Sequence, residues 1–254
     1  MAALYDDIGR TYSDRRQSDP RIAAAINGAV HGCASILNVG AGAGSYEPDT
    51  RLVVAVEPSR TMIAQRPAGS APAVQARAEA LPFRDASLDA VIGILTVHHW
   101  QDQQKGCAEC ARVARSRVVL LTIDVAVCAR FWLFDYLPDL IRTDRQIFPV
   151  LERFEETLGP IEITDVPIPA DCRDGFLGAY WKRPRAYLDP AVRASISTFS
   201  RIGDVSDQLA RLESDIESGL WQQRYSSLQN LSELDLGYRL VAARIRDGLI
   251  YRNP

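Results

Sequence analysis

Residues 36 to 47 read Ile36-Leu-Asn-Val-Gly40-Ala-Gly42-Ala-Gly44-Ser-Tyr-Glu47, an apolar run that ends in three glycines spaced by two. A run that is apolar throughout, not at alternate positions, predicts a strand covered on both faces. Glycines directly after it lack the Cβ atoms that would keep a ligand away from the strand end. Comparable runs lie outward from this one at Leu52 to Val56, Ala73 to Ala76, Ala90 to Leu95 and Val118 to Ile123, making five candidate parallel strands. Ile22, Ile26 and Val30, four apart, predict a helix over Arg21 to Val30, and Gly106 to Arg115 reads as a crossover helix. The fold class expected is α/β, a doubly wound and mostly parallel sheet.

Beyond the fifth strand, Ile147, Leu151, Phe154 and Leu158 form a helical stripe closed by Gly159-Pro160, and a sixth strand is expected over Ile161 to Ile168. Residues 171 to 236 break the alternation. Leu209, Leu212, Ile216 and Leu220 make one amphipathic face, and Leu228, Leu231 and Leu234 continue at helical spacing. Tyr238 to Ile245 has strand character and is expected to return to the sheet edge. The chain is therefore read as one domain, with a core over 1–170 and 237–254 and an inserted helical cap over 171–236.

At 254 residues, 47% apolar and 24% charged, the chain has the composition of a globular protein. A net charge of -3 supplies no positive field for phosphate backbones, so no nucleic-acid partner is expected. Met1 to Pro20 carries Asp and Arg side chains where a secretory leader needs an apolar stretch, and no run approaches the roughly 20 residues of a membrane span. Five scattered cysteines argue for reduced thiols. These features predict a cytoplasmic monomer or homodimer with no membrane partner.

The second strand ends Val54-Ala-Val-Glu57-Pro-Ser59, placing a carboxylate beside the glycine turn, where its two oxygens can accept both hydroxyls of a ribose. A dinucleotide fingerprint would need glycine or alanine at Ser45. Only Gly40 to Arg51 separates the first two strands, and Pro48 interrupts it, so the helix whose N-terminus holds a pyrophosphate is vestigial. A cofactor without phosphates fits that connection better.

The glycine turn, Glu57-Pro-Ser with Met62 following, Ala78-Glu-Ala-Leu-Pro-Phe83 and Leu95-Thr-Val-His-His-Trp100 together resemble successive motifs of the class I S-adenosylmethionine-dependent methyltransferases, of the type 11-like kind. Residues 36 to 124 carry the resemblance, and Tyr5 to Arg21 resembles the N-terminal lid of that group. The resemblance implies a Rossmann-like fold, S-adenosylmethionine as cofactor, and methyl transfer to a small molecule, a secondary metabolite or peptide. By it Gly40 and Gly42 lie along the methionyl and ribose part and Glu57 holds the ribose. Pro58 and Met62 pack near the base, Ala78 and Glu79 flank the adenine, and Thr96 belongs to the last cofactor motif. The residue before the glycine turn is commonly acidic in this family and is Asn38 here, an acceptor without charge. Tyr12 and Arg16 either close over the site and meet the methionine carboxylate or are ordinary exposed lid residues. Two rivals are a nicotinamide-dependent oxidoreductase and a binding protein that transfers no methyl.

His98 and His99 follow the fourth strand at the ligand-binding edge. Either is a candidate general base, or a packing residue, because methyl transfer from a sulfonium needs mostly in-line positioning. Cys107 and Cys110 share one helical face and have no second pair to complete a metal site. Phe131, Trp132, Phe134, Tyr136, Phe176, Tyr180 and Trp181 either wall an acceptor pocket or pack the core. Asp171-Cys-Arg173-Asp174 at the entry to the cap is a candidate for polar recognition.

Overall fold

The computed structural model describes residues 16–245. Asp19 accepts from the Arg21 amide at 3.0 Å and Pro20 opens the first helix, α1 (Pro20–Ala29), whose buried face is Ile22 and Ile26. There follow β1 (Ser35–Val39), β2 (Leu52–Val56), α2 (Arg60–Ala64), β3 (Ala73–Val74) and β4 (Leu88–Ile94). Asp102 caps α3 (Gln103–Val113), which runs without a break into β5 (Ala114–Ile123), so Arg115 belongs to the strand and not to the helix expected there. Next come α4 (Val125–Cys128), α5 (Pro138–Ile147), α6 (Arg153–Leu158), β6 (Ile161–Asp165), β7 (Ile168–Pro169), α7 (Pro190–Ala194), α8 (Ser206–Glu217), α9 (Leu220–Arg224), β8 (Glu233–Leu234) and β9 (Tyr238–Arg244).

Seven strands form one sheet in the order β3-β2-β1-β4-β5-β9-β6, in which the first five are parallel and β9 is antiparallel to both neighbours. Alternate residues feed opposite layers. Ile36, Val119 and Leu121 pack toward α1 and the cap, while Leu37, Val39, Val118 and Leu120 pack against Cys107, Cys110, Phe154 and Leu158. This two-sided burial is the reason the strands read as unbroken apolar runs.

Four further expectations need correction. The Ile147-to-Leu158 stripe is not one helix, because Phe148 turns extended (ψ 135°) before Pro149 and separates α5 from α6. The sixth strand stops at Asp165; Ile168 and Pro169 instead pair with β8 in a separate two-stranded ribbon. Leu220 is 52% exposed beyond Gly219, and Leu228 sits in a 3-10 turn (Ser226–Asn230), Leu231 in the extended link after it and Leu234 in β8, so these three do not form a helix. Finally, β9 lies inside the sheet between β5 and β6, and β6 is the edge. The helical layer also includes residues 125–148, joined to the cap by Trp132, whose indole donates to the Trp181 carbonyl at 2.8 Å and meets Trp221 edge-on at 5.2 Å. No helix among the described residues is long and apolar enough to cross a membrane.

Candidate functional site

Because β1 pairs with β2 on one side and β4 on the other, the connections after β1 and β4 leave in opposite directions and open a cleft at their carboxyl ends. The glycine loop forms one wall. The amides of Gly40 and Ala41 donate to the Val56 carbonyl at 2.8 and 3.0 Å, which ties the loop to β2. Gly40 has φ +68°, and a Cβ there would stand 1.9 Å from the Thr96 hydroxyl oxygen, so the end of β4 itself requires glycine at this position.

Glu57, 5% exposed, accepts from the Gly42 amide at 2.9 Å on one oxygen and from the Ser59 amide at 2.8 Å on the other. Ser59 in turn caps α2 by accepting from the Met62 amide at 3.2 Å, which brings Met62 against Gly42. Asn38 donates from Nδ2 to Glu47 at 3.1 Å. A carboxylate only accepts, so this bond fixes the amide orientation and turns Oδ1, which is buried and has no partner among the described residues, into an open acceptor. Glu47 is held by Arg66, whose Nη2 lies 2.8 and 2.7 Å from its two oxygens, both side chains being nearly buried. The Glu47 carboxylate that orients Asn38 is itself neutralised by Arg66, so Asn38 offers a polarised but uncharged acceptor.

The cleft, about 870 Å³ including its open mouth, is lined by Arg16, Asn38, Gly40, Gly42, Glu57, Pro58, Met62, Ala78, Glu79, Thr96 and His99 among others. An orphaned acceptor at Asn38, a carboxylate at Glu57 and apolar surfaces from Pro58, Met62 and Ala78 fit a ligand that carries an ammonium, a sugar diol and a flat base. Glu79 is turned partly to structure, accepting from the Gln101 amide at 2.7 Å. Tyr12 lies outside the described residues. Arg16 donates from Nε to Asp174 at 2.6 Å. Leu95, Trp100 and Gln101 also line the cleft. Leu95 and Trp100 stood inside the quoted motif, but the left-handed backbone at Leu95 (φ +49°) had no signal in its residue type.

A second cavity of about 420 Å³ adjoins the first and shares Arg16, Leu95 and His99 with it. Its other walls include His98, Asp144, Phe148, Phe176, Thr198 and Tyr238. His98 belongs to this cavity alone, stacked on Phe148 at 4.1 Å and tilted by 48° against His99 at 3.9 Å. Burial lowers both imidazoles, His99 to about 3 and His98 well below 6.5, with Arg201 and Arg16 adding repulsion. Both rings are therefore neutral across the physiological range. Of the seven aromatic residues considered for a pocket wall, only Phe176 lines either cavity. The other six are buried, and Phe131, Trp132 and Tyr180 make edge-to-face contacts with the buried Tyr187. Cys107 and Cys110 are free and buried on one face of α3. Asp174 faces inward, accepting from Arg16, from the Tyr46 hydroxyl at 2.8 Å and from the Gly175 amide at 2.6 Å, whereas Asp171 is exposed and pairs with Arg21.

The family model described as "Methyltransferase domain" matches residues 37–122. No curated protein sequence matches the chain. A crystal structure from Anabaena variabilis, assigned by name to methyl transfer in an antibiotic biosynthesis pathway, superposes with a TM-score of 0.83 at 33% identity, covering 92% of this chain and 99% of that one. An S-adenosylmethionine-dependent methyltransferase from Thermotoga maritima shares the fold at a TM-score of 0.58 and 11% identity, over 97% and 100% of the two chains. Phosphoethanolamine N-methyltransferase 2 from Haemonchus contortus, solved with S-adenosylhomocysteine, also shares the fold, at a TM-score of 0.51 and 16% identity over 89% and 52%. With a Rossmann-like sheet, a cleft at its switch point and a relative one-third identical along nearly the whole chain, this protein belongs to the S-adenosylmethionine-dependent methyltransferases.

Proposed function

We propose that the chain methylates a small molecule held in the second cavity, using S-adenosylmethionine seated in the first. The observation that carries this reading is the shared wall: Arg16, Leu95 and His99 border both spaces, so a donor in one and a nucleophile in the other meet there. The second cavity is bounded by residues from the helical cap and from α5, a setting that suits a compact ligand better than a polymer. The antibiotic-pathway assignment of the Anabaena protein agrees with a metabolite acceptor.

In this reading Asn38 Oδ1 accepts from the cofactor's ammonium, Glu57 from its ribose, and Pro58, Met62, Ala78 and Glu79 surround its base. Gly40, Gly42 and Thr96 shape the floor, while Arg16 closes the methionyl end. The bound cofactor supplies a sulfonium methyl carbon open to in-line attack. His98 and His99 are too weakly basic, as neutral buried imidazoles, to gain much from taking a proton in the transition state. Their rings instead exclude water and hold the acceptor in line, the arrangement from which methyl transfer draws most of its rate.

Incubation with methyl-labelled S-adenosylmethionine and a size-fractionated extract tests the proposal. Label is expected in the low-mass fraction, and label confined to protein or nucleic acid would overturn the small-molecule reading.

A further inference from the structure

The second cavity contains one ionisable side chain that methyl transfer leaves without a task. Asp144, in the last turn of α5, is 1% exposed and shares its helix face with Leu140 and Ile141. Its Oδ1 accepts from the Thr198 hydroxyl at 2.9 Å, while Oδ2 is buried with no partner among the described residues. The charged group acting on it is Arg201, which forms no ion pair with it among the described residues. Cys128 and Tyr238, which feel its charge, have thiol and phenol held protonated by burial. His98 and His99 in the same cavity are neutral. Phe148, Phe176 and Tyr238 supply flat apolar walls beside it.

Among the described residues, a carboxylate placed so is short of both an ion-pair partner and a second hydrogen-bond donor. We propose that the cavity takes an acceptor bearing a protonated amine, whose ammonium pairs with Asp144 while its apolar body lies against Phe148, Phe176 and Tyr238. A neutral hydroxyl would fill the Oδ2 lone pair and leave the charge unanswered; an acid would be repelled. Asp144 lines the second cavity only, whereas the shared wall is Arg16, Leu95 and His99, so the ammonium is an anchor and the methylated atom lies elsewhere on the acceptor. Burial raises Asp144 to about 6, which leaves it mostly charged at neutral pH and discharges it on acidification.

The inference rests on the second cavity being the acceptor site, and the test separates the two. Binding of phenethylamine and of its neutral isostere 2-phenylethanol is measured by calorimetry on the full chain saturated with S-adenosylhomocysteine. At pH 7.5 the amine is expected to bind at least about tenfold tighter, the scale of one charge-assisted contact. Asp144→Asn, which keeps an oxygen for Thr198, should remove that preference without lowering the melting temperature. In the wild type alone the preference should fade below pH 6. Equal affinities in the wild type, a preference that survives in Asp144→Asn, or failure of both compounds to bind at millimolar concentration overturns the proposal. Ser197→Trp, which fills the cavity from its half-buried rim, tests the underlying reading: labelled-methyl transfer at the wild-type rate would place the acceptor elsewhere, whatever Asp144 binds.

Discussion

Glu57 spends one lone pair of each carboxylate oxygen on the amides of Gly42 and Ser59, which locks both the glycine loop and the start of α2 at the edge of the cleft. Glu57→Gln exchanges one acceptor oxygen for a donor that faces an N–H. Cofactor affinity should fall by about 1 to 3 kcal/mol, measured by titration with S-adenosylhomocysteine; unchanged affinity in a folded variant would deny Glu57 a part in binding. Asp144 illustrates the opposite case, a group that harms the fold. Its carboxyl titrates near 6 in the folded chain against 3.8 unfolded, so between those values the native state holds more protons and stability declines as pH rises. Above pH 6 the penalty is about 3 kcal/mol, and Asp144→Asn should recover much of it at pH 7.5 but little at pH 4. Thermal melts across that range decide the matter, and a variant less stable than wild type at pH 7.5 would contradict it. Glu57 was legible because it interrupts an apolar run beside a glycine turn. Asp144 was readable in principle, standing in the same helical stripe as Leu140 and Ile141, yet PDLIRTDRQI has enough polar residues to pass for a solvated face.

The connection from β1 to β2 shows how an element can be replaced by a loop. No helix fills residues 40–51; the Glu47–Arg66 pair and the Asn38 amide brace the turn in its place. Close approach by a ligand is one reason for glycines there. Gly40 shows a second cause, since its backbone is pressed against Thr96 at the end of β4 and lies in the left-handed region. Gly40→Ala should therefore cost about 1 to 3 kcal/mol in overpacking and a further 1 to 2 kcal/mol in backbone strain. Thr96→Gly in the same chain should return the overpacking part alone, as followed by urea denaturation. A Gly40→Ala chain as stable as wild type would disprove the contact. The five parallel strands were legible because burial on both faces leaves no polar alternation, whereas the largely exposed β6 and the two-residue β7 and β8 gave no such run. Helix ends in the cap were not, because Leu228, Leu231 and Leu234 are spaced like a helix while Gly219 and the β7–β8 ribbon dictate otherwise.

At the scale of the molecule, the N-terminal segment, the glycine loop and the cap converge on one buried carboxylate. Asp174 receives Arg16, Tyr46 and its neighbouring amide, and Tyr46 also donates from its backbone to Ser18 at 2.7 Å. Asp174→Ala would take a buried carboxylate away from a nearly buried guanidinium and a buried phenol. A loss of about 3 to 5 kcal/mol is expected in chemical denaturation, together with weaker cofactor binding, because the cleft loses its brace. Asp171→Ala, which removes only an exposed partner of Arg21, should leave the curve unmoved. Equal effects of the two would dismiss the convergence. None of this coupling was visible in the sequence, where Asp174 is one acidic residue in a polar tetrad, since it depends on segments about 130 to 160 positions apart meeting in space. The placement of β9 inside the sheet has a consequence for biosynthesis. Every residue of the cap is translated before the strand that joins β5 to β6, so a nascent chain emerging from the ribosome must carry β5 with one flank unzipped, and β6 with no neighbour at all, until residues 238–244 arrive. Chaperone engagement during synthesis should therefore peak between these two events.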